Sequence, residues 1–453
     1  MRSWLILFFS FGHFVSIIVH AQNVAGETCQ PESFVIKAGR VWTGDTFLGR
    51  TDILIEAGRI SALSQDGTLP LPSGTQIILA LNETVLPGLI DGHAHMFEKG
   101  GAMSPSDLVA PFESSFPLNG RQMLQAGVTS ARIHLFDLAH GPKLKRLAEN
   151  PCYSSPRLTF AGPGFIGGAP GLERTQVWGA KSPSDARGKV QQIKQAGATW
   201  IAIHNVGSFL PEILFAICDE ARRAGLRIMA GGESGDEIQQ LLKLEVDTIE
   251  YLDNSPSQFY SALLLQELAA AGRPPVFVTP IGYYYRIMSY IKDPQSVNYG
   301  LVQELLPPKE FGELRTNFQA LLSEPDINLV DLVQAFPTFK KKFLQLRNAG
   351  LLMAIGTDCG SPGNFHFDAI WWELKTWRDL GVPIEDILKS ATSVSATLMD
   401  KANIGKIVPR AFADLVIYSG DLSKNTTPLD VSRVQTVIKN GVFFLKDGKW
   451  LGP

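Results

Sequence analysis

Through the middle of the chain, short apolar and β-branched runs end in glycine or polar residues, and most are separated by segments with helical spacing. Eight such runs stand out, at 85–90, 127–133, 158–162, 199–204, 226–230, 246–251, 276–280 and 351–357. A typical spacer is the stretch from Asp236 to Leu244. Its apolar positions recur at helical intervals, and Ser234 precedes it as a candidate cap. The flanks have a different texture. Residues 33–78 and 414–448 hold short alternating strands broken by glycine and proline, which reads as antiparallel β. Eight strand–helix units predict an α/β chain folded as a (β/α)8 TIM barrel, with the two flanks pairing into a small β-sandwich beside it. A doubly wound open sheet is the competing architecture, but no GxGxxG or P-loop opens a helix here. The expected boundaries are 1–21, 22–84 for the N-terminal part of the sandwich, 85–400 for the barrel, and 401–453 for the C-terminal part.

The first 21 residues stand apart from this pattern. Arg2 supplies a positive start, 5–18 is apolar, and Val19-His20-Ala21 leads to a cleavage point before Gln22. This predicts a secretory signal and an extracellular mature chain, with a membrane anchor as the alternative. An oxidising compartment permits disulfides among Cys29, Cys152, Cys218 and Cys359, in any of three pairings. Two sequons, at Asn82 and Asn425, suit the same compartment. Hydrophobic residues make up 45% and charged residues 19%, which excludes a mainly disordered chain. A net charge of −3 argues against a nucleic-acid binder. The expected partner is a small-molecule substrate, without stable membrane insertion once the signal is cut.

The chemistry-bearing segment is Leu86-Pro87-Gly88-Leu89-Ile90-Asp91-Gly92-His93-Ala94-His95. A spacing of two on a strand puts both imidazoles on one face. At the C-terminal mouth of a barrel they would converge, which is how a zinc-type centre begins. With this segment, 127–132, Ile355-Gly356-Thr357-Asp358-Cys359-Gly360 and Ala413-Asp414-Leu415-Val416-Ile417, the chain resembles the amidohydrolase superfamily. It is most similar to imidazolonepropionase-like and Xaa-Pro-dipeptidase-like members. The resemblance implies a barrel with a β-sandwich, one or two divalent metals, and hydrolysis of amides, lactones or related bonds. It also implies Asp358 as a metal ligand that takes a proton from water.

Departures from the family pattern narrow this picture. Ala202 stands where a bridging lysine is common, and Gly231 and Tyr251 stand where histidines are. Ala169 replaces a further histidine after a Gly-Gly pair. What remains is His93, His95 and Asp358, a set for one divalent metal, zinc being the first candidate, bound weakly or not at all. His204 and Glu233 lie two residues beyond Ala202 and Gly231, on the same strand faces, and are candidates to rebuild the site or bind substrate. Tyr251 is a candidate acid/base alongside Asp358 and His204. Arg132, Glu233, Tyr284 and His366 are candidate substrate contacts. Arg132 offers a guanidinium fork, and Tyr284 belongs to an aromatic stretch (Tyr283 to Tyr290) beyond the seventh strand. His134 and His140 read as isolated histidines. The expected function is single-metal hydrolysis of a C–N, ester or lactone bond in a small molecule. A non-hydrolytic catalyst or an inactive binding relative is the alternative.

Overall fold

The computed structural model describes residues 31–452 apart from 66, 72, 99, 101–111, 134–136, 175, 253–254, 256, 258 and 324–326. The expected signal segment, Cys29 and His134 lie outside the described residues.

Eight strands carry the middle of the chain: β1 Leu89–Ala94, β2 Val128–Ile133, β3 Arg157–Phe160, β4 Trp200–His204, β5 Arg227–Gly231, β6 Thr248–Glu250, β7 Val276–Val278 and β8 Met353–Ala354. β1, β2 and β3 form one parallel sheet. β4 to β8 form a second in chain order, extended beyond β4 by Gly164–Ile166 and Val177–Trp178. Isolated parallel bridges join the sheets at both ends, Ala94 with Cys359 and Ala161 with Trp200. Helices connect successive strands, and four of them fill the long span between β7 and β8. The arrangement is α/β of the TIM-barrel type.

The strands are apolar on both faces, as buried parallel strands must be. Along β4, Trp200 and Ala202 join one cluster with Met229, Val276, Val278 and Leu398. Ile201 and Ile203 alternate into the larger cluster shared with the helices. Each fully buried Val, Leu, Ile or Met among them contributes roughly 1.5–3 kcal/mol. In the connection after β5, Ser234 caps helix Gly235–Lys243 by accepting from the Glu237 amide, as the spacing predicted.

The run 85–90, expected as one strand, is divided between two. Gln76–Pro87 belongs to the terminal sheet and β1 begins at Leu89. The break falls at Gly88, whose amide donates to Asp414 O at 2.8 Å and whose Cα is so close to Thr129 that a side chain would collide. Gln76–Pro87 pairs in parallel with Phe34–Trp42 and antiparallel with Leu415–Ser419, so both ends of the chain meet in one nine-stranded sheet. That sheet is mixed rather than wholly antiparallel. It has its own core, including Phe34, Ile36, Ile53, Val85 and Ile417. Arg157 of β3 fastens it to the barrel strands, donating to both oxygens of Asp414 at 2.9 and 3.1 Å.

Cys152 is disulfide-bonded, whereas Cys218 and Cys359 are free and buried. Asn82 and Asn425 are both exposed. Among the described residues no helix is long and apolar enough to cross a membrane.

Candidate metal centre

His93 lies on β1 and His95 one residue past its end, and their rings are 5.4 Å apart. The His95 amide donates to Cys359 O at 2.8 Å, which ties this strand end to the segment following β8. Asp358 sits in that segment with φ +57°, a left-handed conformation unusual outside glycine, and its amide donates to His93 O at 2.9 Å. This turn aims the carboxylate back at the histidines. Its Oδ1 is 2.9 Å from His95 Nε2 and 3.4 Å from His93 Nε2. One donor atom from each of the three buried residues lies within 4.8 Å of the others.

Both imidazoles are oriented from behind. His93 Nδ1 is 2.7 Å from Glu250 Oε2, and His95 Nδ1 is 3.0 Å from Glu98 Oε1. A carboxylate on Nδ1 keeps the ring proton there and leaves the Nε2 lone pair for an ion. Glu250 is fixed in turn. It accepts twice from Arg132 Nη2, at 2.7 and 2.9 Å, and once from the Thr248 hydroxyl.

Burial works against charge on all three groups, yet each is stabilised in its ionised form. Burial raises the Asp358 pKa, but hydrogen bonds and charge from His93 and His95 outweigh it and hold the carboxyl well below its usual range. Burial lowers His93, but Asp358 and Glu250 outweigh it; for His95 the carboxylates of Glu98 and Asp358 do the same. A pocket that draws positive charge onto two imidazoles suits a cation. The two Nε2 atoms and one carboxylate oxygen therefore fit a single divalent ion with open coordination positions.

The structure gathers some of the predicted residues and places others elsewhere. The Tyr251 hydroxyl is 3.1 Å from His93 Nε2 and 3.4 Å from Asp358 Oδ1. Burial, then the charge of Asp358, pushes its pKa well above the phenol value. His204 ends β4 half-buried, and burial with the like charge of His93 and His95 lowers its pKa to about 4. Tyr284 is buried in helix Ile281–Lys292, its ring tilted against Phe339 with centroids 4.8 Å apart, and its pKa is raised by burial and by the Asp358 charge.

Three expected substrate contacts stand otherwise. Arg132 is buried beneath the centre with its fork spent on Glu250 and its Nε donating to Gly92 O at 2.6 Å, so it braces a carboxylate of the protein itself. His366 is buried with Nε2 3.2 Å from His95 O, which makes it a support for that backbone. Glu233 is exposed, because β5 ends at Gly231 and the chain turns into the cap of the next helix. Sequence reasoning missed Glu98, Glu250 and Ser361, whose hydroxyl donates to Asp358 Oδ2 at 3.1 Å. A glutamate three residues past the second histidine was a readable signal for Glu98, and an acid inside the buried run 246–251 was one for Glu250.

Comparison with known proteins agrees with this geometry. A model of the amidohydrolase family matches residues 84–444, and the chain belongs to that family. An allantoinase of Solibacter usitatus is 27% identical over 239 residues, 49% of this chain and 45% of that protein. An imidazolonepropionase of Streptomyces griseus subsp. griseus is 33% identical over 73 residues, 16% of this chain and 19% of that protein. The matched stretch thus spans less than half the length of either relative. A Xaa-Pro dipeptidase crystallised with methionine in its active site superposes with a TM-score of 0.70 at 20% identity, covering 91% of this chain and all of that one. At that identity the likeness is one of fold.

Proposed function

We propose that the protein is a hydrolase of a carbon–nitrogen bond, an amide or cyclic amide, or of a related ester or lactone, in a small molecule. It would use one divalent ion, zinc first, held by His93, His95 and Asp358. The observation that carries this is the pairing of each Nδ1 with a carboxylate, which turns both Nε2 atoms toward Asp358 Oδ1.

A divalent ion there supplies Lewis acidity toward a carbonyl oxygen and makes water more acidic. The protein's own groups divide the remaining work. Asp358 presents Oδ1 to the imidazoles and keeps Oδ2 on Ser361, so Oδ2 is the oxygen placed to accept a proton from attacking water. The Tyr251 hydroxyl, within reach of Oδ1, is placed to pass a proton to the leaving atom. His204 stays neutral and offers a hydrogen bond to substrate. Tyr284 walls the site on the β7 side.

A non-hydrolytic proton-transfer reaction is the second reading, favoured by Ala202, Gly231 and Tyr251 standing where further ligands are usual. Elemental analysis of purified protein, with turnover of a panel of amides and lactones, separates the two. About one zinc per chain with metal-dependent cleavage is the expected result. Metal-free protein that turns over no amide would overturn the proposal.

In the same reading the eight strands close into a full barrel through the Ala94 and Ala161 bridges. Residues 1–21 direct the chain into the secretory pathway and are then removed, and the chain is glycosylated at exposed sequons. The disulfide at Cys152 supports the oxidising compartment.

A further inference from the structure

Gly231 ends β5, and its register partner on β6 is Glu250. On the other side β4 pairs Ile203 with Ala230, so His204 stands one step further, beside Gly231. Alternate residues of a strand share a face. Ala202 and Met229 point into the barrel interior, so position 231 faces inward too, in the row that holds His204 and Glu250.

Gly231 is buried, but neither packing nor backbone conformation requires a glycine there. Its φ is not positive, and among the described residues a Cβ would meet nothing nearer than Ile203 O at 4.0 Å. Gly92 and Gly356, close by, are different. A Cβ at Gly92 would lie 2.7 Å from Ile355 O, and one at Gly356 would lie 2.8 Å from His93 Cβ. Those two are glycines because neighbouring atoms leave no room. A glycine in a strand forfeits packing and carries an entropic penalty, and a remaining reason for one is close approach of a ligand.

We propose that Gly231 opens a subsite in the floor of the mouth, between His204 and Glu250, that receives a flat, uncharged group of the substrate such as an aromatic or heterocyclic ring. The proposal rests on the hydrolase reading above and specifies its substrate class. Two inter-strand spacings separate His204 from Glu250, roughly 9–10 Å of backbone, which leaves a slot rather than a sphere when the middle position has no side chain. Ala202 and Met229 make its base apolar. The charge of Glu250 is already compensated by two bonds from Arg132. A charged substituent on the ring would lose its hydration against this apolar base.

The test uses the full-length mature protein and its Gly231→Val and Gly231→Ala variants, with binding followed by ligand-observed NMR. The probes are benzamide, 4-carbamoylbenzoate (the same amide with a carboxylate on its ring) and acetohydroxamate. Benzamide should bind the wild type, weaken tenfold or more in Gly231→Val, and weaken less in Gly231→Ala. 4-Carbamoylbenzoate should bind the wild type at least tenfold more weakly than benzamide. Zinc content, acetohydroxamate binding and thermal midpoint should stay unchanged in Gly231→Ala, which separates lost space from lost fold. Benzamide binding equally to wild type and both variants, no benzamide binding to wild type, or 4-carbamoylbenzoate binding as tightly as benzamide overturns the subsite. A wild type that holds no zinc and no acetohydroxamate overturns the metal reading, while the benzamide comparison still decides the subsite.

Discussion

Glu250 and His93, 157 positions apart, are joined by a 2.7 Å contact between Oε2 and Nδ1, and Arg132 grips the same carboxylate from the other side. The ligand is therefore aimed by a charged pair buried below it. Glu250→Gln keeps the shape but weakens the hold on the Nδ1 proton, and zinc affinity should fall about 10–100-fold. Glu250→Ala also strands the Arg132 guanidinium and should cost about 3–5 kcal/mol of stability. Chelator competition reads the first effect and urea denaturation the second. Equal zinc affinity in wild type and Glu250→Gln would show that the contact does not orient the ligand.

Asp358 has two oxygens with separate duties, Oδ1 toward the imidazoles and Oδ2 on Ser361. Asp358→Asn replaces one oxygen by a donor in a pocket that favours positive charge. Bound metal and turnover should both be lost, the latter by about 10³-fold or more, the upper part of the range for a lost acid/base group. Ser361→Ala should keep the metal and lower kcat more modestly. Full activity in Asp358→Asn would remove this residue from the mechanism.

Much of the scaffold was legible because its signals are local. The eight runs are apolar on both faces, and β-branched residues ending in glycine mark strand ends wherever they fall. The division at Gly88 was not legible, since 85–90 is one unbroken apolar run and only the pairing of Val85 with Ile417 shows that its first half belongs to another sheet. At the site, His93 and His95 were readable as candidates from their spacing taken with the whole segment 86–95 around them. The role of Arg132 was not, because a guanidinium fork reads the same whether its carboxylate belongs to a substrate or to Glu250 on a distant strand. Glu233 misled for a simpler reason. The same-face argument holds only while the strand lasts, and β5 stops at Gly231.

Tyr251 stands where the resemblance led us to expect a histidine, and its hydroxyl reaches both His93 Nε2 and Asp358 Oδ1. If it moves a proton, Tyr251→Phe should retain zinc and lower kcat by about 10²-fold, with KM changed far less. If it only packs, the variant keeps its kcat. Single-turnover and steady-state rates on the same amide, with zinc measured on the same samples, give the answer.

Lys439 tests the joint between the terminal sheet and the barrel strands. It is buried, donating to Tyr153 O at 2.7 Å and Ser155 O at 2.6 Å, above the ring of Phe444. Burial, then the nearby Arg157 charge, lowers its pKa to about 7, with Asp414 pulling the other way. The unfolded value is about 10.4. Between about 7 and about 10.4 the unfolded chain binds more protons at this group than the native one, so its contribution makes stability rise with pH. Below about 7 both states carry the proton and the full penalty remains. Lys439→Met removes the titration. The difference in unfolding free energy between wild type and variant, measured by urea at pH 7, 8 and 9, should therefore shift in favour of the wild type by up to ~1.4 kcal/mol per pH unit. Other groups titrate alike in both proteins and cancel. A difference that stays flat across that window would mean that Lys439 keeps its charge when folded, sustained by the two carbonyls and the aromatic face.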